Sequence, residues 1–157
     1  EPGERARLAW FLQRIVPKLH RHTIIAVAGR MPRRFPMRDK RIFTLGVVDD
    51  RAEFLRQCRV VALPERSLTG VFMPALEALE LGLPAVATTQ ALRGIADLPD
   101  NVRGVEGANG FARAVEQLAL DQRTGGLADS DGPAFRAARL ARMDAVLGDA
   151  IGVLKRD

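Results

Sequence analysis

Apolar positions along this chain follow two alternating rhythms, and their alternation predicts the architecture. Short runs rich in β-branched residues, at 23–28, 42–45, 60–63, 84–88 and 101–105, read as buried strands. Between them the spacing is helical. Residues 5–19 carry Leu8, Phe11, Leu12, Ile15 and Leu19 on one stripe, and Pro17 predicts a kink or an early end. Trp10 and Phe11 are expected to pack against a sheet. A short helix is expected at 51–58, capped by Asp49 or Asp50. A third has Phe72, Leu76 and Leu79 at i, i+4 and i+7, and a fourth, at 110–120, turns Phe111, Val115 and Leu118 inward. Residues 121–132 are rich in Gly, Asp, Thr and Ser and read as a flexible link. A long helix follows from Pro133, with Gly148 and Gly152 as weak points. Strands alternating with helices predict an α/β fold, a Rossmann-like doubly wound parallel sheet. The chain opens on a helix, so the sheet is expected to lack its first strand. The predicted division is a domain over 1–125 and, over 126–157, a link and a terminal helix that packs back on it.

The stretch 60–89 forms one βαβ unit. Pro64 ends its first strand, residues 65–70 form a polar loop, and Gly82 stands where a helix C-terminus favours a left-handed residue. Pro74 is tolerated only in a first turn, so the amides of Gly70, Val71, Phe72 and Met73 are expected to have no intrahelical partner. Such amides, backed by the helix dipole, suit a phosphate. Glu77 lies about 7 Å further along the axis from Phe72, at about 1.5 Å per residue. A carboxylate there can take both hydroxyls of a ribose. No Lys or Arg stands at i±3 or i±4 to explain it as a pair on its own helix. The competing reading is an ordinary crossover helix with a solvated glutamate.

The same residues resemble the C-terminal, donor-binding domain of GT-B glycosyltransferases of the glycosyl transferases group 1, family 4, type. The resemblance rests on Gly70, on Leu76-Glu77-Ala78-Leu79 and on Gly82-Leu83-Pro84-Ala85-Val86-Ala87-Thr88. It continues through Ala91-Leu92-Arg93-Gly94-Ile95 and Gly110-Phe111-Ala112. Upstream it takes in Ala9-Trp10-Phe11, Ile15-Val16-Pro17, Ala26-Val27-Ala28-Gly29 and Leu45-Gly46-Val47-Val48. It implies that Glu77, the second acid of an E-x7-E motif, binds the donor ribose. It implies also that the amides at Gly70 and Val71 hold the diphosphate and that the backbone at Val47 meets the base. Thr69 stands where the first glutamate of the motif would be, and Phe72, Met73, Pro74 and Ala75 stand where a lysine is often found. The family's phosphate-gripping Arg and Lys follow the first strand, and no strand precedes Arg5. If the family order holds, the absent strand is the central one, between 23–28 and 60–63. The two neighbours then close up, or a partner chain fills the gap, or the chain is part of a larger protein.

Composition and charge alter the picture little. One domain with a real core is expected at 157 residues. No apolar run approaches the ~18 residues of a membrane span, and no secretory signal is visible. A chain opening on Glu1 reads as a fragment or a processed product. The single cysteine, Cys58, fits a reducing, cytoplasmic setting and reads as a small buried hydrophobe. His20 and His22, with no third ligand nearby, make a poor metal site, and no metal is expected. Arg30, Arg33, Arg34, Arg38, Lys40 and Arg41 crowd one segment. Nucleic acid is the weaker explanation, because only Phe35 interleaves with them. A solvated loop, or a face for an anionic acceptor or the inner surface of a membrane, fits better. Arg30, at the end of strand 23–28, is placed either to reach a ligand phosphate or to sit at the surface.

The expected function is the donor half of a glycosyltransferase that takes a nucleoside-diphosphate sugar, UDP or GDP based, as substrate, with no cofactor. Its partner is a missing N-terminal domain that supplies the acceptor site, so this piece alone is expected to be inactive. The residues identify no catalytic group. A non-catalytic GT-B-like scaffold, a nucleic-acid or membrane-surface module using Arg30 to Arg41, and a sugar-nucleotide epimerase of the same fold stay open as alternatives.

Overall fold

The computed structural model describes residues 2–30, 39–66, 70–124 and 129–154. A helical segment opens it, with α1 (Pro2–Trp10) running into a wide π turn at Phe11–Ile15 and a tight 3-10 turn at Val16–Lys18. The helix begins three residues before the sequence-expected start. Pro17 has no N–H for an α-type bond, and the kink or early end takes the form of this change of pitch, with the backbone extended by Leu19.

Two parallel sheets follow. β1 (Ile25–Ala28) pairs with β2 (Ile42–Gly46), and β3 (Val61–Leu63), β4 (Ala85–Thr88) and β5 (Val102–Val105) form the second sheet in that order. Helices α2 (Arg51–Arg56) and α3 (Met73–Glu80) connect successive strands, α4 (Gly107–Thr124) follows β5, and α5 (Gly132–Leu154) ends the described chain. The expected single sheet is therefore divided. β1 and β3, the two strands expected to flank the absent one, belong to different sheets, and among the described residues they form no ladder.

Side chains, not backbone, bridge that division. Phe111, Ile15, Val16, Leu118 and Val86 are almost completely buried and join Ile25, Val27 and Ile42 of the first sheet to Ala62 and Val86 of the second. Trp10 and Phe11 both meet Phe111 of α4 edge-on at 6.2 Å, so the helix, and not a sheet alone, receives them. A second core under α3 gathers Ala75, Ala78 and Leu79 against Leu63, Ala85 and Ala87. β4 is buried along its whole length, as an interior parallel strand should be.

Two segments depart from their expected character. α4 starts at Gly107 and runs to Thr124, which takes the beginning of the expected link into a helix. Residues 125–128 lie outside the described residues. Beyond them Ser130 donates its amide to the Gly82 carbonyl (2.8 Å), and Asp131 caps α5 by accepting from the Ala134 amide (2.9 Å). Helix α5 continues through Gly148 to Leu154 without a break. Arg139 and Glu80, paired at 2.6 Å, tie its first turns to α3.

The basic segment is also less available than its sequence suggests. Arg41 is turned inward. Its guanidinium donates to the carbonyls of Val16 (3.0 Å), Leu19 (3.0 Å) and His20 (2.9 Å), at the end of the first helical segment. Asp39 holds it there at 2.7 Å. Arg30 and Lys40 are exposed, and Arg33, Arg34 and Arg38 lie outside the described residues. Glu116 of α4 secures the same corner, accepting from the His20 amide (3.0 Å) and the Thr23 hydroxyl (2.7 Å). Of the two capping candidates for α2, Asp50 does the work, accepting from the Glu53 amide at 2.9 Å.

Two predictions follow from this packing. Gly82 has φ 73°, and its neighbours close a Schellman turn: Gly82 N–H to Leu79 O and Leu83 N–H to Ala78 O, both 3.0 Å. A Cβ at Gly82 would stand 2.1 Å from the Ser130 carbonyl oxygen. Gly82→Ala is expected to cost about 2 kcal/mol or more, as left-handed strain and a backbone clash add, read as a lowered denaturant midpoint. The second concerns acid. The hydrogen bonds from Arg41 push the Asp39 carboxyl down to about 2. A depressed folded-state pKa stabilises above the unfolded value, about 3.9, and the benefit disappears as pH falls through about 2. The melting-temperature gap between the native chain and Asp39→Asn should thus be constant above about pH 5 and close towards pH 2.

Candidate functional site

Parallel strands with crossover helices deliver all their C-terminal ends to one edge of a sheet, and ligands of such folds bind there. At that edge of the first sheet, the Gly29 amide donates to the Gly46 carbonyl at 2.6 Å, which ties the exit of β1 to that of β2. Arg30 and Val47 therefore leave the sheet side by side. Val47 is 69% exposed, and Arg30 has no polar partner among the described residues. At the same edge of the second sheet, β3 gives way to Pro64 and Glu65, and α3 begins at Met73.

The entrance to α3 is open. Phe72 is its N-cap and offers no side-chain hydrogen bond, and Pro74 occupies the first turn. The Ala75 amide closes back on the Phe72 carbonyl at 2.9 Å. The amides of Gly70, Val71, Phe72 and Met73 have no partner among the described residues. Gly70 has φ 72° with nothing within 4 Å of where a Cβ would stand, so the backbone there is approachable. Gly70 and Val71 are exposed, and Thr69 lies outside the described residues.

Glu77 is half-buried one turn inside the helix. The expectation that it has no basic partner holds for its own helix only. Arg51, the first residue of α2, brings its Nε to 2.9 Å from Glu77 Oε2. This contact joins the exit of the first sheet to the crossover helix of the second. It brings Glu77 into one neighbourhood with the β2–α2 connection that carries Val47.

A second ion pair was not foreseen from the sequence. Glu65 is only 8% exposed, and its carboxylate pairs with the Arg7 guanidinium of α1. Its other oxygen accepts the Arg66 amide at 2.7 Å, and the Thr88 hydroxyl donates to its main-chain carbonyl. The Arg7 guanidinium also lies 4.9 Å from the centre of the Phe72 ring, at the α3 entrance. The only sequence signal was an acid directly behind Pro64, at the end of an apolar strand. Its partner is 58 residues away.

The remaining chemistry-bearing residues stand apart. His20 and His22 are exposed and stack at 5.2 Å, and no group of His, Cys, Asp and Glu able to hold a metal occurs among the described residues. Cys58 is half-buried, its thiol directed at the Phe54 carbonyl at 3.5 Å, and burial raises its pKa, which suits packing rather than nucleophilic attack. No described helix is long and apolar enough to cross a membrane.

Parallel strands, crossover helices and a helix entrance at the strand ends together define a Rossmann-like fold. Residues 2–121 match the family model described as glycosyl transferases group 1, and the chain belongs to that family as a GT-B C-terminal domain. No curated protein matches it.

The buried pair gives a prediction independent of any ligand. Arg7→Ala removes the described cation from a largely enclosed Glu65 carboxylate, and the loss is expected to be on the order of 3 kcal/mol. The double replacement Arg7→Ala with Glu65→Gln should recover part of it. Denaturant titration of the three variants checks both.

Proposed function

We propose that this chain is the donor-binding half of its glycosyltransferase and holds a nucleoside-diphosphate sugar, based on uridine or guanosine. On this reading the diphosphate lies against the amides at Gly70 and Val71, the ribose hydroxyls donate to Glu77, and the base meets the backbone at Val47. Thr69 belongs to the same loop, and Arg30 stands at the neighbouring strand exit. The observation that carries the reading is the meeting of an uncapped helix entrance, an acid one turn inside it, and the β2 exit, linked by Arg51 and Glu77 at 2.9 Å. Helix-entrance amides favour an anion and a carboxylate favours a diol, so the two together suit a phosphorylated ribose.

The parent transfers the sugar to an acceptor held by its N-terminal domain, and this chain alone binds donor without turning it over. Arg7 and Glu65 keep the floor of the site rigid beside the entrance. A carboxylate so enclosed and paired is a positioning group on this reading, not a base. The absence of the first motif acid, with Thr69 in its place, specifically favours a second reading, in which the domain keeps the fold as a non-catalytic scaffold.

Titrating UDP and GDP into labelled protein distinguishes the two. The donor reading expects amide shifts at Gly70, Val71 and Glu77. It also expects Glu77→Ala to weaken binding by about tenfold to a hundredfold, the usual range for losing hydrogen bonds to a charged group. No response to either nucleotide at millimolar concentration favours the scaffold.

A further inference from the structure

Arg51 stands in an unusual place. It is the first residue of α2, where the positive end of the helix dipole disfavours a cation. Its described ion-pair partner is Glu77, on a different helix. The two groups meet through the guanidinium Nε and one carboxylate oxygen, at 2.9 Å. The guanidinium side chain is 56% exposed and the carboxylate 31%. A guanidinium carries five N–H donors and a carboxylate about four lone-pair positions, so both retain capacity for a ligand. An exposed pair of this kind contributes little to stability, and stability alone is a weak reason to hold a cation there.

Arg51 also lies four residues past Val47, on the connection leaving β2, and reaches the acid on α3. This inference rests on the donor reading, in which those two points are the base and ribose contacts. Arg51 then spans the step between them. We propose that Arg51 reads the nucleobase, selecting a keto oxygen over an exocyclic amine at C4 of a pyrimidine or C6 of a purine. Arginine donates and never accepts. A keto oxygen facing it gains a charge-assisted hydrogen bond, whereas an amino group in that position meets a donor with a donor. Glu77 and Arg51 thereby act as one acceptor–donor pair across the nucleoside, the acid for ribose hydroxyls and the guanidinium for the base.

Two matched pairs of free nucleotides test this by calorimetry on the full 157-residue chain. UDP and CDP differ at a keto or amino group on C4, and GDP and ADP differ in the same way at C6, with the adjacent ring nitrogen changing from donor to acceptor in each pair and guanine bearing a further amine on C2. The native chain should prefer UDP to CDP and GDP to ADP by about tenfold, within the discrimination that one good arginine–base contact supplies. Arg51→Ala should bring both ratios towards one, mainly by weakening the keto partners. Arg51→Gln, whose amide can accept as well as donate, should raise CDP and ADP relative to Arg51→Ala. Equal affinities in the native chain overturn the assignment, as does a preference that survives Arg51→Ala. A uniform weakening of all four nucleotides overturns it too and makes Arg51 a positioning residue for Glu77. If the native chain binds none of the four, the donor reading fails and this inference with it.

Discussion

Two parallel sheets with no backbone ladder between them are joined by one apolar core, and that core is the constraint on which the molecule depends. Phe111 and Leu118 of α4 and Ile15 and Val16 of the first helical segment share a cluster with side chains from both sheets. Among the described residues β1 and β3 are not paired with each other. Backbone hydrogen bonds fix register, whereas apolar contacts are nondirectional. The cohesion of the two sheets is therefore of a different kind from the cohesion within each. It explains why so much anchoring collects at the first helical segment. Arg41 closes its end, Glu116 clamps the turn behind it, and Arg7 pairs its start with Glu65. Without that segment, the first sheet would lose most of its hold on α4.

What the sequence revealed and what it hid divide along distance in the chain. The strands, the α3 entrance and the Gly82 turn rest on local rules: apolar period, a proline confined to a first turn, a glycine in a left-handed position. Each was readable from a few residues. Helices α1 and α4 run three or four residues beyond their expected ends, as at Gly107, where α4 begins before the apolar stripe that marked it. The ion pairs were not readable at all. Glu77 had no partner within its helix, and nothing in the spacing pointed to Arg51. Arg41 looked like one more member of a basic run until its carbonyl acceptors, up to 25 residues upstream, were in view. Charges are the residues whose meaning depends most on what arrives from elsewhere, because their sign limits partners without naming them.

These pairings change the electrostatics of the α3 entrance. Arg7 is matched by Glu65 and Arg51 by Glu77, so these two cations bring no net formal charge to the entrance. The uncancelled part is the partial positive charge of the helix start itself, where the amides from Gly70 to Met73 are open among the described residues. An anion there meets oriented dipoles of the backbone. Such a site favours shape and placement over strength. That suits a group that must be held for one reaction and then released.

The division between the sheets and the location of the site are linked. Glu77 belongs to the crossover of the second sheet, while Val47 and Arg51 belong to the exit of the first. On the donor reading a nucleoside diphosphate touches both, so its binding free energy adds to the apolar contacts that hold the two sheets together. Anything that binds only the joined arrangement stabilises it by mass action. The ligand then acts as a strut across a seam that has no ladder of its own. In that arrangement affinity for the nucleotide and cohesion of the fold are linked: a substitution in the core around Phe111 lowers apparent affinity to the extent that it depopulates the joined state, without touching the site.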